Sequence, residues 1–109
     1  MPIREITVDQ LHEALGRGEA VELVDVRSEG EHAVARLEPS NLVPLPELSA
    51  RVDELQALKN KRVVVYCHHG VRSRSGAAIL EASGFTDVVS LRGGIDAWSL
   101  TIDPKVPRY

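Results

Sequence analysis

Residues 62–84 read RVVVYCHHGVRSRSGAAILEASG. The apolar, β-branched run from Val63 to Tyr66 predicts a buried strand that stops at Cys67. Small residues at helical spacing over 73–83 predict a helix that packs closely on a sheet, and Gly84 is expected to end it. A strand that leads into a helix is the unit of a parallel α/β sheet. Cys67 is therefore expected at the carboxyl end of a strand, where such sheets hold their sites.

The rest of the chain continues this alternation of strands and helices. Thr7-x-x-Gln10 and Ser28-x-x-Glu31 are candidate capping boxes, each of which predicts the start of a helix. The other predicted elements are a buried strand at 20–26, an extended piece at 42–43 within a proline-containing loop at 37–47, a helix through Leu48, Val52, Leu55 and Leu58, a strand at 87–91 and a helical turn at 95–100. This order predicts a single α/β domain over 1–109, with an open, mainly parallel β-sheet, helices on both faces and an irregular tail at about 101–109.

Composition and charge limit the classes of function. The 109 residues are 43% hydrophobic and 27% charged, which is typical of one globular domain. Residues 1–5 lack the apolar core of a secretion signal, and no apolar run approaches the roughly 20 residues of a membrane span. The net charge of -3 argues against nonspecific nucleic-acid binding. We therefore expect a cytoplasmic protein without a nucleic-acid partner, a membrane partner or a cofactor.

Cys67 is the only cysteine, and its predicted position suits a reactive thiol. A thiol at a strand-to-helix turn faces backbone amides and the positive end of a helix dipole, which favour a thiolate. The helix end contributes only about 0.3–1 kcal/mol, so hydrogen bonds from loop amides are also needed. Gly70 would let the loop bend sharply inward and supply them. The alternative is that Cys67 is a buried apolar filler.

Charge around Cys67 differs from that of the whole chain. No Asp or Glu occurs between Leu55 and Leu80. The same stretch contains the basic residues Lys59, Lys61, Arg62, Arg72 and Arg74, together with His68 and His69. A cationic patch around the thiol favours an anionic sulfur and an anionic substrate. A chance gap in the acidic residues is the alternative.

Several separated motifs resemble the rhodanese family of thiosulfate sulfurtransferases. They are, in order, Asp25-Val-Arg27, Cys67-x-x-Gly70-x-Arg72-Ser73, Gly84-Phe85 and Leu91-Arg-Gly-Gly94-Ile-x-Ala-Trp98. The resemblance spans about residues 5–98, with the motifs in the order of a single-domain rhodanese. It implies a rhodanese-like fold and transfer of sulfane sulfur. The donor would be a small anion, such as thiosulfate, or a persulfide.

The resemblance also implies a mechanism. Cys67 would take the sulfane sulfur as a persulfide and pass it to a thiol or another nucleophile, in covalent ping-pong catalysis. The chain has no second cysteine that could discharge the persulfide, so the acceptor, a thiol or a sulfur-carrier protein, must come from outside. Related phosphatases have seven residues from Cys to Arg, whereas Cys67 to Arg72 is six, as in rhodaneses. The shorter ring suits one sulfur atom better than a phosphoryl group.

The predicted site has one catalytic residue, Cys67. The predicted active-site loop that binds substrate consists of His68, His69, Gly70, Val71, Arg72 and Ser73. The histidines are either acids or substrate contacts, or solvated residues whose amides matter more, and without a third ligand they predict no metal site. Arg72 orients the loop or an anionic donor, or pairs with a surface acid. Asp25 and Arg27 are predicted to form a structural ion pair under the loop, although Asp25 could touch the pocket. Arg92 lines the pocket rim or caps the following turn.

Two stretches qualify the resemblance. Residues 35–41, ARLEPSN, lack the two glycines of the Gly-His-Ile-Pro-Gly-Ala stretch found in many rhodaneses. The tail Asp103-Pro-x-x-Pro-x-Tyr109 is similar to the end of rhodanese domains fused to adenylyltransferases that charge sulfur carriers. Two other functions stay open at this point. They are a noncatalytic rhodanese-like binding or regulatory module, and a phosphatase or arsenate-handling enzyme.

Overall fold

The structure is a computed structural model that describes residues 2–109, and over these residues it contains five strands and five α-helices. The strands are β1 (Glu5–Ile6), β2 (Glu22–Asp25), β3 (Asn41–Leu42), β4 (Arg62–Tyr66) and β5 (Asp87–Leu91). The helices are α1 (Val8–Gly16), α2 (Glu29–Val34), α3 (Leu45–Arg51), α4 (Arg72–Ala82) and α5 (Gly94–Thr101), and a 3₁₀ helix (Val52–Leu58) follows α3 directly. No helix in this part of the chain has both the length and the apolar character that crossing a bilayer requires.

The five strands form one parallel sheet in the order β1-β5-β4-β2-β3. β4 lies at the centre, with Asp25 of β2 paired with Tyr66 and Ser90 of β5 paired with Val65. Parallel strands place their carboxyl ends at one edge of the sheet. The segments that follow β2, β4 and β5 therefore meet at this edge. The predicted α/β class is confirmed, and the described pairings are all parallel rather than mainly parallel.

Helices cover both faces of the sheet because successive side chains of β4 point to opposite faces. Val63 and Val65 belong to the core cluster under α3, the 3₁₀ helix and α4. Val64 and Tyr66 belong to the cluster on the other face, with residues of α1 and α5. Cys67 continues the first set and so turns toward α4.

Both predicted capping boxes are present. Thr7 Oγ1 accepts a hydrogen bond from the Gln10 amide at 3.1 Å, and Gln10 Oε1 accepts one from the Thr7 amide at 2.9 Å. Ser28 and Glu31 exchange the equivalent bonds at 3.2 Å each. A capping box satisfies amides that the first helical turn leaves unpaired, which is why these two starts could be read from sequence.

Some element boundaries differ from prediction. The strand expected at 20–26 is shortened to Glu22–Asp25, and the extended piece is Asn41–Leu42 rather than 42–43. The predicted helix through Leu58 becomes 3₁₀ at Val52, because its apolar residues there recur every third position, which is the 3₁₀ period. β1 was not predicted, since two residues are too few to show an alternating pattern.

Candidate active site

Cys67 lies directly after β4, and its sulfur faces backbone amides. Sγ accepts hydrogen bonds from the amide of Gly70 at 3.1 Å and from the amide of Ser73 at 3.3 Å. The side chain is only 1% exposed and touches one of the two cores, as an apolar filler would. Its sulfur nevertheless has two N–H donors, which an apolar filler would not need.

The N-terminus of α4 uses the sulfur as its cap. The helix begins at Arg72, and its N-cap residue Val71 provides no side-chain hydrogen bond. The Ser73 amide, which would otherwise be an unpaired first-turn donor, bonds Sγ instead. The first turn contains no acidic residue but has Arg72 and Arg74, contrary to the usual preference at this end of a helix. This end of α4 therefore favours negative charge on the sulfur of Cys67.

The N-terminus of α5 holds the first half of the loop from the other side. The amide of Ile95 donates to the Cys67 carbonyl at 2.9 Å, and the amide of Asp96 donates to the His68 carbonyl at 3.1 Å. Gly94, with a φ of 61°, makes this approach possible, because a Cβ there would collide with both carbonyl oxygens. The loop carbonyls therefore point to α5, while the amides of Gly70 and Ser73 point to Sγ.

Replacing Gly94 with alanine is expected to displace the loop and destabilise the fold. Gly18 provides a matched control, because its φ of 75° is also positive but a Cβ there would meet nothing within 4 Å. Gly18→Ala should lower the free energy of unfolding by roughly 1–2 kcal/mol, through backbone conformation alone. Gly94→Ala should add about 1–3 kcal/mol of steric cost. Urea denaturation of both variants measures their free energies of unfolding. Equal decreases in the two variants would show that α5 can shift to accommodate the Cβ without a steric cost.

The loop conformation also requires glycine at position 70. Its φ is 96°, and a Cβ there would lie 3.0 Å from the Gly93 amide nitrogen and 3.1 Å from the Leu91 carbonyl oxygen. The sharp inward bend expected at Gly70 is present in the structure. It brings the Gly70 amide onto Sγ within a ring of six residues from Cys67 to Arg72.

Two buried serines lie behind the sulfur. Ser73 Oγ is 3.5 Å from Cys67 Sγ and 2.7 Å from Ser90 Oγ on β5, and neither serine is exposed to solvent. The pair therefore fixes a hydroxyl next to the thiol. Sequence reasoning included Ser73 in the loop but missed Ser90. A signal was present, because Ser90 is the one polar residue in the apolar run at 88–91, on the strand beside β4.

Arg72 is bound by a carboxylate from another part of the chain. Its two terminal nitrogens donate to the two oxygens of Glu31 at 2.7 and 2.9 Å. The hydrogen bonds from Arg72 are the main reason that the pKa of Glu31 lies far below its usual range. The acid-free run from 55 to 80 therefore did not predict the local charge, because α2 brings Glu31 to Arg72. Likewise, α5 brings Asp96 within 3.8 Å of His69.

Asp25 and Arg27 form the ion pair expected at the end of β2. Asp25 Oδ1 accepts from the Arg27 amide at 3.0 Å and from Nε at 2.9 Å, and Oδ2 accepts from Nη2 at 2.8 Å. Both residues are fully buried, so Asp25 does not reach an open pocket. Arg27 also donates to the Ala35 carbonyl and to the Tyr109 hydroxyl. The pair thus connects β2 to the segments at Ala35 and Tyr109.

Tyr109 is a site residue that sequence reasoning missed. Its hydroxyl accepts a hydrogen bond from Arg27 Nη1 at 2.8 Å and donates one to Glu31 Oε2 at 2.8 Å. Its ring stacks on His68 with centroids 4.0 Å apart, and His68 stacks on His69 at 3.9 Å. Burial, and then the neighbouring His69, lower the pKa of His68, which favours a neutral ring. The only sequence signal was the tail motif that ends in Tyr109, and a single sequence does not show where an irregular tail packs.

Arg92 lies at the rim of an open cavity beside the loop. The cavity has a volume of about 590 Å³, and its lining includes His69, Gly70, Val71 and Arg92 but not Cys67. Arg92 Nη2 also forms an ion pair with Glu5 at 3.1 Å. The cavity that Arg92 lines does not contain the thiol, and its role in the site stays a prediction.

Comparison with known proteins gives a family and close structural neighbours. A family model described as a rhodanese-like domain matches residues 7–101. A sulfurtransferase of Allochromatium vinosum is 35% identical over 97 residues, which cover 89% of each chain. The crystal structure of a rhodanese-like domain protein from Staphylococcus aureus has a TM-score of 0.82 and 30% identity, and the match covers 98% of this chain and 99% of that chain.

A longer relative matches as well. The probable adenylyltransferase/sulfurtransferase MoeZ of Mycobacterium tuberculosis is 31% identical over 104 residues. These residues make up 95% of this chain and 26% of MoeZ, so the chain spans about a quarter of that relative.

Proposed function

The chain belongs to the rhodanese-like domain family, and from that premise we propose that it is a sulfurtransferase that works through a persulfide on Cys67. It would move sulfane sulfur from an anionic donor, thiosulfate or a persulfide, to a thiol or another nucleophilic acceptor. The observation that carries the proposal is the position of Sγ between the amides of Gly70 and Ser73, at the N-terminus of α4. An anionic sulfur is the species that such donors stabilise.

The reaction consists of two displacements at sulfur. The Cys67 thiolate attacks the outer sulfur of thiosulfate, so that a new S–S bond forms and sulfite leaves with the electron pair of the broken bond. An acceptor thiolate then attacks the outer sulfur of the persulfide. The acceptor becomes the persulfide, and Cys67 returns to its thiolate. Neither displacement needs an external oxidant or reductant, and neither needs a second thiol from the described residues.

The loop favours this chemistry over phosphoryl transfer. Two amides converge on one sulfur atom, and the ring from Cys67 to Arg72 is one residue shorter than in related phosphatases. The same donors would stabilise the inner sulfur when it leaves as a thiolate in the second displacement. A phosphoryl group needs donors around three oxygens, and the narrow ring offers less space for them.

The other loop residues receive supporting roles in this proposal. Arg72 would bind the anionic part of the donor through a bidentate contact, the geometry in which a guanidinium holds oxyanions best. Val71 is 76% exposed and the side chain of His69 is 60% exposed, so both are accessible to an acceptor. Asp25 and Arg27 would act structurally, since both are fully buried.

The acceptor is proposed to be a thiol or a sulfur-carrier protein in the cytoplasm. MoeZ, the longer relative, is named as both an adenylyltransferase and a sulfurtransferase. The similarity to a protein with both names supports the proposal of a sulfur-carrier protein as acceptor. Residues 1–109 contain a single cysteine, so the acceptor nucleophile is proposed to lie outside this sequence.

Intact-mass measurement after incubation with sulfur donors tests the proposal. The chain is incubated separately with thiosulfate, a small-molecule persulfide and a protein persulfide. Each compound that acts as a donor is identified by an added mass of one sulfur atom. A thiol should remove that mass. Peptide mapping should locate the added sulfur on the peptide that contains Cys67. Thiosulfate is expected to load the protein because its charge suits the guanidinium of Arg72.

Two results would favour another function. If none of the donors adds sulfur to a correctly folded protein, the chain is a binding or regulatory module of the same family. If an aryl phosphate is turned over instead, the loop handles phosphoryl groups despite its length. Both results are incompatible with the proposed sulfur transfer.

A further inference from the structure

Four side chains next to the Cys67 loop form a continuous series of hydrogen bonds. Arg27 donates to the Tyr109 hydroxyl, the hydroxyl donates to Glu31, and Glu31 accepts two bonds from Arg72. Arg72 is the loop residue that we assign to the anionic donor. In this arrangement its paired terminal nitrogens already hold a carboxylate, in the geometry that would suit a sulfonate or thiosulfate.

We propose that Glu31, held in place by Tyr109, competes with the anionic sulfur donor for the guanidinium of Arg72, and that these two residues thereby lower the affinity for that donor. The inference rests on the proposed function, because it assigns donor binding to Arg72. Glu31 and Tyr109 would thus control donor binding, although neither reacts with sulfur.

The charges next to the loop support this competition. Asp25 balances Arg27 and Glu31 balances Arg72, so an approaching anion meets no net positive charge from these four groups. Hydrogen bonds from Arg72, and then from Tyr109, hold the pKa of Glu31 far below its usual value. Protonation therefore does not remove the competing carboxylate at neutral pH. The anion gains the two terminal nitrogens of Arg72 together only when Glu31 moves away.

The partial burial of this ion pair makes the competition energetically significant. The side chains of Glu31 and Arg72 are 21% and 39% exposed, whereas fully exposed pairs contribute little. Tyr109 adds orientation, because its hydroxyl is fixed by the buried Arg27 and its ring is stacked on His68. A donor that displaces Glu31 must also break the hydrogen bond from Tyr109.

Conservative replacements separate this role from a structural one. Glutamine at position 31 retains the capping box with Ser28, since glutamine serves in that motif as well as glutamate. It removes the negative charge and replaces Oε2, which accepts hydrogen bonds from Arg72 and Tyr109, with an NH₂ group, so the hold of residue 31 on Arg72 is weakened. Phenylalanine at position 109 retains the ring that stacks on His68 and removes only the hydroxyl. Glu38→Gln is the matched control, because it also neutralises a carboxylate that pairs with an arginine, Arg36, but at an exposed position in the loop after α2.

Thiosulfate binding is measured by calorimetry in the full chain carrying Cys67→Ser, so that no sulfur is transferred during the measurement. Adding Glu31→Gln is expected to tighten thiosulfate binding roughly tenfold, the range expected from one charge-assisted hydrogen bond. Tyr109→Phe should tighten binding by a smaller factor, and Glu38→Gln should leave it unchanged. Circular dichroism verifies that each variant is folded.

The opposite results are equally definite. Weaker binding in Glu31→Gln would show that Glu31 positions Arg72 for the donor, and unchanged binding would show that the anion does not use the face of Arg72 that Glu31 occupies. Either result overturns the competition. Sulfur loading is measured separately in chains that retain Cys67. Absence of loading would overturn the proposed function, whereas an unchanged thiosulfate affinity would overturn only this inference.

Discussion

Cys67→Ser is expected to abolish sulfur loading from every donor while leaving the fold intact. A serine hydroxyl can still accept hydrogen bonds from the amides of Gly70 and Ser73, which donate to Sγ at 3.1 and 3.3 Å in the unaltered chain. It is not ionised near neutral pH and cannot form a persulfide. Turnover of thiosulfate should therefore fall by at least about 10⁴-fold, as expected for loss of a covalent nucleophile.

Two measurements on the serine variant make this prediction specific. Intact mass should show no added sulfur under conditions that load the unaltered chain, and thermal unfolding should give a nearly unchanged midpoint. Sulfur loading that persists in the serine variant would contradict the role of Cys67, because the chain contains no second cysteine to accept sulfur. A variant that unfolds would instead show that the thiol is needed for packing, and Cys67→Ala would then measure that contribution.

The sequence predicts the parts of the fold that local chemistry determines. Val63 to Tyr66 is β-branched and apolar, and it forms the central strand within one residue of its predicted start. Thr7 and Ser28 start helices because each is followed three residues later by a glutamine or glutamate. These signals lie within a few residues of one another. They do not depend on how distant segments pack.

The same reasoning covers the loop but not what surrounds it. Gly70 and the six-residue spacing from Cys67 to Arg72 can be counted in the sequence, and they predict amides turned toward the sulfur. Glu31 lies 41 positions from Arg72, which it binds. Tyr109 lies 82 positions from Arg27, which donates to its hydroxyl. Such contacts follow from tertiary packing, and no periodicity or capping rule indicates them.

Local charge shows why the remaining part was not predictable. The acid-free run from 55 to 80 describes only residues near Arg72 in the sequence. The charge near Arg72 in the structure also depends on residues that are distant in the sequence. The N-terminal turn of α2 lies next to Arg72 and contributes Glu31. Arg72, which has no acidic residue near it in the sequence, is therefore paired with Glu31 in the structure. This is the observation that changes the expected behaviour of the site from an open cationic pocket to one with an internal competitor.

Asp25→Asn is expected to cause a large loss of stability, because it leaves the fully buried Arg27 without its counter-charge. Asp25 accepts three hydrogen bonds from Arg27, and His32 Nδ1 lies 2.8 Å from its Oδ2. Asparagine at this position has an amide group facing donors that now meet a carboxylate oxygen. Removing one partner of a buried ion pair typically costs about 3–5 kcal/mol. For a domain of this size that corresponds to a lower unfolding midpoint by roughly 10–20 °C.

Glu38→Gln is the matched control for burial, because Glu38 pairs with Arg36 at 2.7 Å but the two side chains are 67% and 43% exposed, respectively. Its loss should not exceed about 1 kcal/mol. Combining Asp25→Leu with Arg27→Met should recover much of the stability lost in Asp25→Asn, since removing both charges leaves no unpaired ion in the interior. Urea denaturation of the three variants decides the matter. Equal losses for Asp25→Asn and Glu38→Gln would mean that water or another group solvates Arg27, and that the ion pair is not what secures the end of β2.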